Sequence, residues 1–261
     1  MIRPESHLFY DELRQAILDE TPVAMATVVQ GEPLGAKLLV YGDSRTSGSL
    51  GDDALDTDVA AMARQVLPTG KTVIRTFTRD GGDVAVYIES YLPRRRMVIV
   101  GAVHTAIPLE RWARDFGYVT IVIDAREFFA TRERFPDADE LIVGWPTEAL
   151  SKINIGPETD IVLLAHDAKF DDPTLTIALN SKAGYIGALG NRKTSAERLK
   201  RLRAAGFSDE QLSRIHGPIG LNIGGRSPEE IAISILAEII AVRNGRDPRK
   251  STSRLQTPGD P

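Results

Sequence analysis

Up to residue 93, apolar and polar positions alternate in short segments of mixed type. The segment HLFYDELRQAILDE has apolar residues at helical spacing, and DDALDTDVAAMARQVL repeats that spacing, so two helices are predicted. PVAMATVV, GAKLLVY and TSGSL predict short strands between turns, and KTVIRTF with DVAVYIESYL predicts a hairpin around Asp80-Gly81-Gly82. Residues 1–93 are therefore predicted to form a smaller mixed α+β domain.

After the basic turn PRRR, apolar runs alternate with amphipathic stretches. The predicted strands are MVIVG, VTIVID, ELIVG, DIVLLAH and AGYIGALG. The predicted helices are Pro108–Phe116, Pro146–Lys152, Pro173–Leu179, Ser195–Ala205, Asp209–Arg214 and Pro228–Arg243. Such alternation indicates an α/β fold, with a Rossmann-like parallel sheet domain over residues 94–245. Residues 246–261 are polar and are predicted to be a disordered tail.

Composition narrows the classes of function. Of the 261 residues, 42% are hydrophobic, which is enough for a buried core, and the net charge of −4 favours neither nucleic acid nor an anionic membrane as partner. The chain has no cysteine, which excludes disulfides, thiolate zinc sites, iron–sulfur clusters and cysteine nucleophiles. The start is polar, and no apolar run reaches the ~18 residues of a membrane helix, so we expect a cytoplasmic protein.

The stretch VIVGAVHTAIPLERWARDFGYVTIVIDAR has the frame of a dinucleotide-binding fingerprint. Gly101 can form the turn after a strand, and Asp124 lies about 20 residues further on, where a ribose-binding carboxylate is expected. Val103 and Ala106 replace the second and third glycines, and His104 lies in the same turn. Two interpretations stay open, an NAD(P) site for hydride transfer and a turn with a purely structural role.

His166 and Asp167 follow a predicted buried strand, in IVLLAHDAKFDDP. Ligands of α/β folds lie at the carboxyl ends of strands, so this pair could orient a ligand, and His166 could titrate near neutral pH. Equally, Asp167 and Asp171 could be turn and capping residues. No second histidine lies at helical spacing, so no metal site is predicted here.

Two glycine-rich turns before predicted helices suggest anion sites. In YIGALGNRKTSAERLKRLR, a strand leads through Gly187 and Gly190 to Arg192 and Lys193, which together could form a cradle for an anion. The cations further along this helix are predicted to form a solvated face or a partner surface: Arg198, Lys200, Arg201 and Arg203.

The second turn, in IHGPIGLNIGGRSPEE, contains Gly224, Gly225 and Arg226. His216, at its start, is as well explained as a turn residue as it is as a ligand contact. Three pairs fit capping boxes and so mark helix starts: Thr194 with Glu197, Ser208 with Gln211, and Ser227 with Glu230.

The serines lie at caps, and no nucleophile triad is visible. Binding of a phosphorylated ligand is therefore favoured over catalysis, although the residues leave open whether the protein is an enzyme. An NAD(P)-dependent oxidoreductase is the alternative, with His166 as its acid–base candidate. A regulatory or scaffolding partner without ligand is a third hypothesis.

Several of these segments occur together in one known family. YIGALGNRKT with RLRAAGFS, and RIHGPIGLNIGGRSPEEIAISILAEIIAVR, are the most specific, and HDAKFDDPTLTIAL, GAVHTAIPL and VIDAR accompany them. In these segments the chain resembles the XdhC/CoxI family, accessory proteins that mature xanthine dehydrogenases and other molybdenum hydroxylases. The resemblance covers nearly all of residues 21–245 and implies an N-terminal XdhC/CoxI-like domain followed by a Rossmann domain.

The resemblance implies binding of the molybdenum cofactor, either molybdopterin, which is a pyranopterin phosphate, or its dinucleotide. It also implies sulfuration by a cysteine desulfurase partner, delivery to a xanthine dehydrogenase-like hydroxylase, and a homodimer. We expect the cofactor to contact Gly101, His104, Asp124, His166, Asp167, Gly187, Gly190, Arg192, Lys193, Gly224, Gly225 and Arg226.

One stretch departs from the family. Where members carry a segment like G-S-V-S-G-G-C-x-E, this chain has GSLGDDALD, with Asp52 and Asp53 for the glycines and Ala54 at the cysteine position. A role that needs a thiolate against molybdenum is therefore impossible in this chain.

Overall fold

The computed structural model describes residues 5–165 and 167–248, and it separates into two compact units between Pro93 and Arg94. His166 and residues 249–261, which make up most of the predicted tail, lie outside the described residues. Within the described ranges no helix is both long enough and apolar enough to cross a membrane.

The first unit is an antiparallel sheet with a helix against each face. Its elements are α1 (Glu5–Leu18), β1 (Val23–Gln30), β2 (Lys37–Tyr41), β3 (Thr46–Ser49), α2 (Asp53–Val66), a short 3-10 helix (Leu67–Thr69), β4 (Val73–Arg79) and β5 (Gly82–Tyr91). The strand order is β3-β2-β1-β5-β4. Alternate residues of β1 face opposite ways, so Ala24 packs with Val59 of α2 and Met25 with Leu13 of α1.

The second unit is a parallel sheet covered by helices on both faces, which confirms the predicted α/β fold class. Its elements are β6 (Arg96–Val100), α3 (Ala106–Asp115), β7 (Val119–Asp124), β8 (Glu140–Val143), α4 (Pro146–Leu150), β9 (Thr159–Leu163), α5 (Ala168–Asn180), β10 (Tyr185–Ala188), α6 (Arg192–Ala204), α7 (Asp209–Ser213), β11 (Ile215–His216) and α8 (Pro228–Arg243). Helices α3 and α8 cover one face, and α4 to α7 cover the other.

The strand order β11-β10-β9-β6-β7-β8 is that of a doubly wound dinucleotide-binding fold. β6 pairs in parallel with β7 on one side and β9 on the other, so the strand order reverses at β6 and leaves a crevice at the carboxyl ends of the strands. Val100 is aligned with Ile123 and Leu163, so these strands end on one edge of the sheet.

Helices α5 and α6 begin five and three residues earlier than predicted. α5 begins at Ala168, because the Asp167 side chain accepts a hydrogen bond from the Lys169 N–H, and Pro173 lies inside the helix. α6 begins at Arg192, and the predicted Thr194 cap is wrong. Asn191, a stronger capping residue, accepts from the Thr194 N–H at 2.8 Å. The predicted capping boxes at Ser208 and Ser227 are confirmed.

Candidate functional site at the carboxyl edge of the parallel sheet

Gly101 forms the turn between β6 and α3. Its φ of +106° is a conformation that favours glycine, and a Cβ there would lie 2.9 Å from the backbone nitrogen of Ala165. Its N–H donates to the Ile123 carbonyl at 2.8 Å. The glycine therefore lets this turn run close to the chain that follows β9.

Asp124, at the end of β7, is buried and fully engaged. Its Oδ2 accepts from the Ala102 N–H at 2.8 Å and from Arg126 Nη2 at 2.7 Å. Its Oδ1 accepts from the Arg126 N–H at 3.0 Å and from Nε at 2.9 Å. These four donors match the roughly four lone-pair sites of a carboxylate. The carboxylate oxygens that the spacing predicts as ribose ligands therefore already accept hydrogen bonds from the protein.

Opposing effects set the ionisation of Asp124. Burial alone would raise its pKa, but hydrogen bonds from the Arg126 side chain and from the backbone N–H groups of Arg126 and Ala102 outweigh burial and lower the pKa. Asp124 is thus a stable anion that ties the turn after β6 to the end of β7.

Two arginines that are not among the predicted contacts flank this turn. The Arg126 side chain is 45% exposed, and its guanidinium lies 4.3 Å from the centre of the Phe129 ring. Arg134 Nη1 donates to the Ala102 carbonyl at 2.8 Å. Arg126 belongs to the segment VIDAR, which resembles the family, whereas no sequence pattern points to Arg134. Exposed His104 lies in the same turn.

A cleft of about 200 Å³ opens beside the turn, between the ends of β7 and β9. Its lining includes Gly101, Asp124, Arg126, Asp167 and Phe170. The cleft is smaller than the ~300–1,000 Å³ of a complete small-molecule site, so it has room for a ring or a similar fragment of a larger ligand.

An aromatic pair lies at one side of the cleft. Phe170, in its lining, stacks on Trp145 with ring centres 5.0 Å apart. Lys169 Nζ lies 5.2 Å from the Trp145 ring centre. An aromatic wall beside cations suits a planar anionic ligand.

The histidine–aspartate pair is only partly described. Asp167 lines the cleft and caps α5, so the capping interpretation holds and contact with a ligand remains compatible with it. His166 lies outside the described residues. The described part of the chain holds no group of three or more histidines, cysteines, aspartates and glutamates that could bind a metal ion.

The turn between β10 and α6 lies at the same edge, because β10 pairs with β9 in parallel register. Gly190, Arg192 and Lys193 form this turn and the start of the helix, and both cations are exposed. Gly187 lies within β10, where a Cβ would collide with the side chains of Ile219 and Tyr185. Close packing thus accounts for glycine at that position.

Arg198 is not on a solvated face, contrary to the sequence prediction. Its side chain is 2% exposed, and Nη2 donates to Asp171 Oδ2 at 2.8 Å and to the Leu189 carbonyl at 3.0 Å. Arg201 differs, because its half-exposed guanidinium forms a bidentate pair with Asp172. The pattern of charges along α6 does not reveal that Arg198 turns inward toward α5.

Gly224, Gly225 and Arg226 lie in the loop before α8. A Cβ at Gly225 would lie 2.5 Å from the Glu230 Cβ, and Arg226 is exposed. The backbone N–H of Arg226 donates to Glu230 Oε2 at 2.7 Å, which ties the loop to the first turn of α8.

His216 ends β11 and is mostly buried. Its ring stacks on Tyr185, with centres 4.6 Å apart, and Nδ1 lies 3.4 Å from Glu238 Oε1. Burial raises the pKa of Glu238, but the nearby His216 ring and the hydrogen bonds from the Tyr185 hydroxyl and the Gly220 backbone outweigh burial and lower the pKa. These contacts fix the ring against α8.

The stretch that departs from the family lies in the first unit, where β3 leads into α2. Asp52 caps α2 by accepting from the Ala54 N–H at 2.9 Å, and Asp56 Oδ1 accepts from the Leu50 N–H at 2.7 Å. Ala54 is exposed in the first helical turn. The aspartates therefore stabilise the start of a helix.

Comparison with known proteins identifies the family. Residues 97–239 match the XdhC Rossmann domain, and residues 16–78 match the XdhC and CoxI family. A protein from Bacillus subtilis described as a probable xanthine dehydrogenase subunit is 35% identical over 60% of this chain and 46% of its own length. The Escherichia coli molybdenum cofactor insertion chaperone PaoD is 29% identical over 64% of this chain and 46% of its own.

The chain thus spans less than half the length of these curated relatives. A crystal structure described as a xanthine dehydrogenase from Bacillus halodurans has the same fold, with a TM-score of 0.53 and 23% identity over 92% of this chain and 97% of that one. Since the XdhC Rossmann domain covers more than half of the sequence, the chain belongs to the XdhC/CoxI family.

Proposed function

We propose that this protein binds the molybdenum cofactor, as molybdopterin or its dinucleotide, and supports its sulfuration and insertion into a xanthine dehydrogenase-type molybdenum hydroxylase. The observation that carries the proposal is the cleft at the strand switch point, with Arg126 and Phe170 in its lining, in a chain of this family. A relative named as a molybdenum cofactor insertion chaperone supports it.

The residues present fit such a group. A pyranopterin is a planar ring system that carries a phosphate, so it needs a flat apolar wall and an anion site within reach of each other. Phe170 provides the wall, and Arg126 provides positive charge beside it. The cradle at Gly190, Arg192 and Lys193 lies two strands from β6, or roughly 10 Å along the sheet edge.

This assignment gives a role to ten of the predicted contacts, all except His166 and Gly187. Gly101, His104 and Asp167 surround the ring, and Asp124 holds the turn and Arg126 in place. Arg192, Lys193 and Arg226 attract the phosphate groups, and Gly190, Gly224 and Gly225 shape the loops that carry them. When bound, the cofactor supplies the molybdenum, whose sulfido ligand a cysteine desulfurase partner installs. Since the chain has no cysteine, its hold on the cofactor relies on the ring and the phosphate.

The experiment compares cofactor binding by the Arg192→Ala/Arg226→Ala double variant and by Lys200→Ala, a matched control that removes an exposed cation from the same helix as Arg192. Equilibrium binding of the pterin phosphate should weaken about tenfold in the double variant and stay unchanged in the control. Equal affinity in both variants would contradict the cradle assignment. Light scattering on the same samples measures the oligomeric state, for which the family resemblance implies a homodimer.

An NAD(P)-dependent oxidoreductase is the second candidate, favoured by the strand order and by the turn at Gly101. It requires a dinucleotide bound through Asp124, whose oxygens are engaged by Ala102 and Arg126. It also requires an acid–base group, for which His166 is the sequence candidate. Loss of turnover in His166→Ala, with NAD(P) retained, is the result that would favour it.

A further inference from the structure

Two buried polar groups on α6 have no hydrogen-bond partner for some of their atoms among the described residues. They are Ser195, whose Oγ is unpaired, and Arg198, whose Nε and Nη1 are unpaired. Ser195 is 6% exposed and the Arg198 side chain 2%. Buried polar atoms without partners are costly to remove from water, above all when they carry charge, so such a pair requires an explanation.

The two groups share one face of the helix, since they are three residues apart. Each faces a glycine in a neighbouring turn. A Cβ at Gly190 would lie 3.7 Å from Arg198 Nη1, and one at Gly217 would lie 3.3 Å from Ser195 Oγ. The contacts of the added Cβ at Gly190 are otherwise 3.4 Å and 3.5 Å, both with Thr194. The missing side chain thus leaves methyl-sized room beside the guanidinium.

The N-terminus of α6 provides backbone N–H donors beside these two side chains. Asn191 Oδ1 accepts a hydrogen bond from the Thr194 N–H, and the Asn191 carbonyl accepts one from the Ser195 N–H. The N–H groups of Arg192 and Lys193, which precede the first intrahelical bonds, have no such partner in the described part of the chain, and the helix dipole places partial positive charge there. α6 has 13 residues, so this dipole is well developed.

We propose that the turn between β10 and α6 is an oxyanion subsite for a phosphate group, completed by Ser195 Oγ and by Arg198 Nη1, the guanidinium atom that lies beside Gly190. Asp171 neutralises Arg198 on the Nη2 side only and thereby fixes the direction of the guanidinium. The inference rests on the proposed function for the identity of the bound molecule, because the phosphate would be that of the pterin cofactor. The subsite itself stands on these contacts.

Isothermal titration of the full chain with inorganic pyrophosphate and with inorganic phosphate tests the subsite. The wild type should bind pyrophosphate with a millimolar dissociation constant. Arg198→Lys keeps the charge but loses the planar fork, and it should weaken binding about tenfold. Ser195→Ala should weaken binding severalfold without loss of stability, because its hydroxyl has no hydrogen-bond partner to lose among the residues that the structure describes. Arg201→Lys, an exposed neighbour on the same helix, is the matched control.

Absence of pyrophosphate binding to the wild type, or wild-type affinity in Ser195→Ala and Arg198→Lys, would overturn the subsite. Ser195→Ala keeps the test decisive where Arg198→Lys fails to fold. Titration of the same variants with the pterin phosphate separates this claim from the proposed function. Pterin binding that is insensitive to both substitutions overturns the subsite alone. Pyrophosphate binding that is sensitive to them, without pterin binding, supports the subsite and contradicts the proposed cofactor.

Discussion

Arg198 Nη2 lies 2.8 Å from Asp171 Oδ2, and the two side chains are 2% and 3% exposed. This ion pair joins α6 to α5, whose first turn contributes Asp167 and Phe170 to the cleft. The cradle and the cleft therefore belong to helices that a buried charge pair holds together.

Removal of one partner of this pair should be costly. Arg198→Met leaves the carboxylate of Asp171 buried without its arginine, and we expect the free energy of unfolding to fall by about 3–5 kcal/mol. Arg201→Met removes a half-exposed pair with Asp172 and should cost only about 0–1 kcal/mol. Urea denaturation of both variants measures the difference, and equal losses would contradict the special role of the buried pair.

The sequence predicts the sheet and its turns, but it does not predict which of these two arginines is buried. Strands such as MVIVG and VTIVID predict the parallel sheet, because long apolar runs have few other stable arrangements. The turn residues Gly101 and Gly190 are marked by their place between a strand and a helix. Nothing in RLKRLR shows which arginine turns inward, because that depends on Asp171, which is distant in sequence and belongs to another helix.

The hydrogen-bond partners of Asp124 were likewise not predictable from the sequence. Its spacing from Gly101 predicts a ribose contact, yet Arg126, only two residues later, takes its oxygens together with the Ala102 N–H. Which donors occupy a carboxylate is decided by how the chain turns after β7, and the spacing of residues does not specify that turn.

Asp124→Asn should therefore weaken both forms of the cofactor by similar factors. The substitution removes the charge that holds Arg126 and the turn after β6, and both forms share the ring that these groups surround. Titration with molybdopterin and with its dinucleotide measures the two factors. A loss confined to the dinucleotide would instead show that Asp124 contacts a ribose.

Asp160, at the start of β9, should make stability depend on pH. Its pKa is raised to about 6, because burial outweighs the hydrogen bond from the Tyr118 hydroxyl and the charge of Arg95, which both lower the pKa. Since the unfolded value is about 4, the folded protein holds a proton between about pH 4 and 6 that the unfolded chain releases. The free energy of unfolding that this group contributes should fall as the pH rises through that range.

Asp160→Asn should abolish this pH dependence of the free energy of unfolding. Tyr118→Phe should extend the pH dependence to higher pH, because the substitution removes a hydrogen bond that favours the charged form of Asp160. Urea denaturation at several pH values measures both effects. An unchanged pH profile in Asp160→Asn would show that Asp160 keeps an ordinary pKa.

Cofactor binding is tested most directly by the cofactor content of the protein purified without air from cells supplied with molybdate. Molybdenum is assayed by mass spectrometry, the oxidised pterin by fluorescence, and nicotinamide in the same sample. If the protein binds the cofactor as proposed, the wild type should contain near-stoichiometric pterin and the Arg192→Ala/Arg226→Ala variant should lose it. Protein free of pterin that carries or titrates with NAD(P) would contradict the proposal, since the Rossmann unit would then bind a nicotinamide cofactor in place of the pterin.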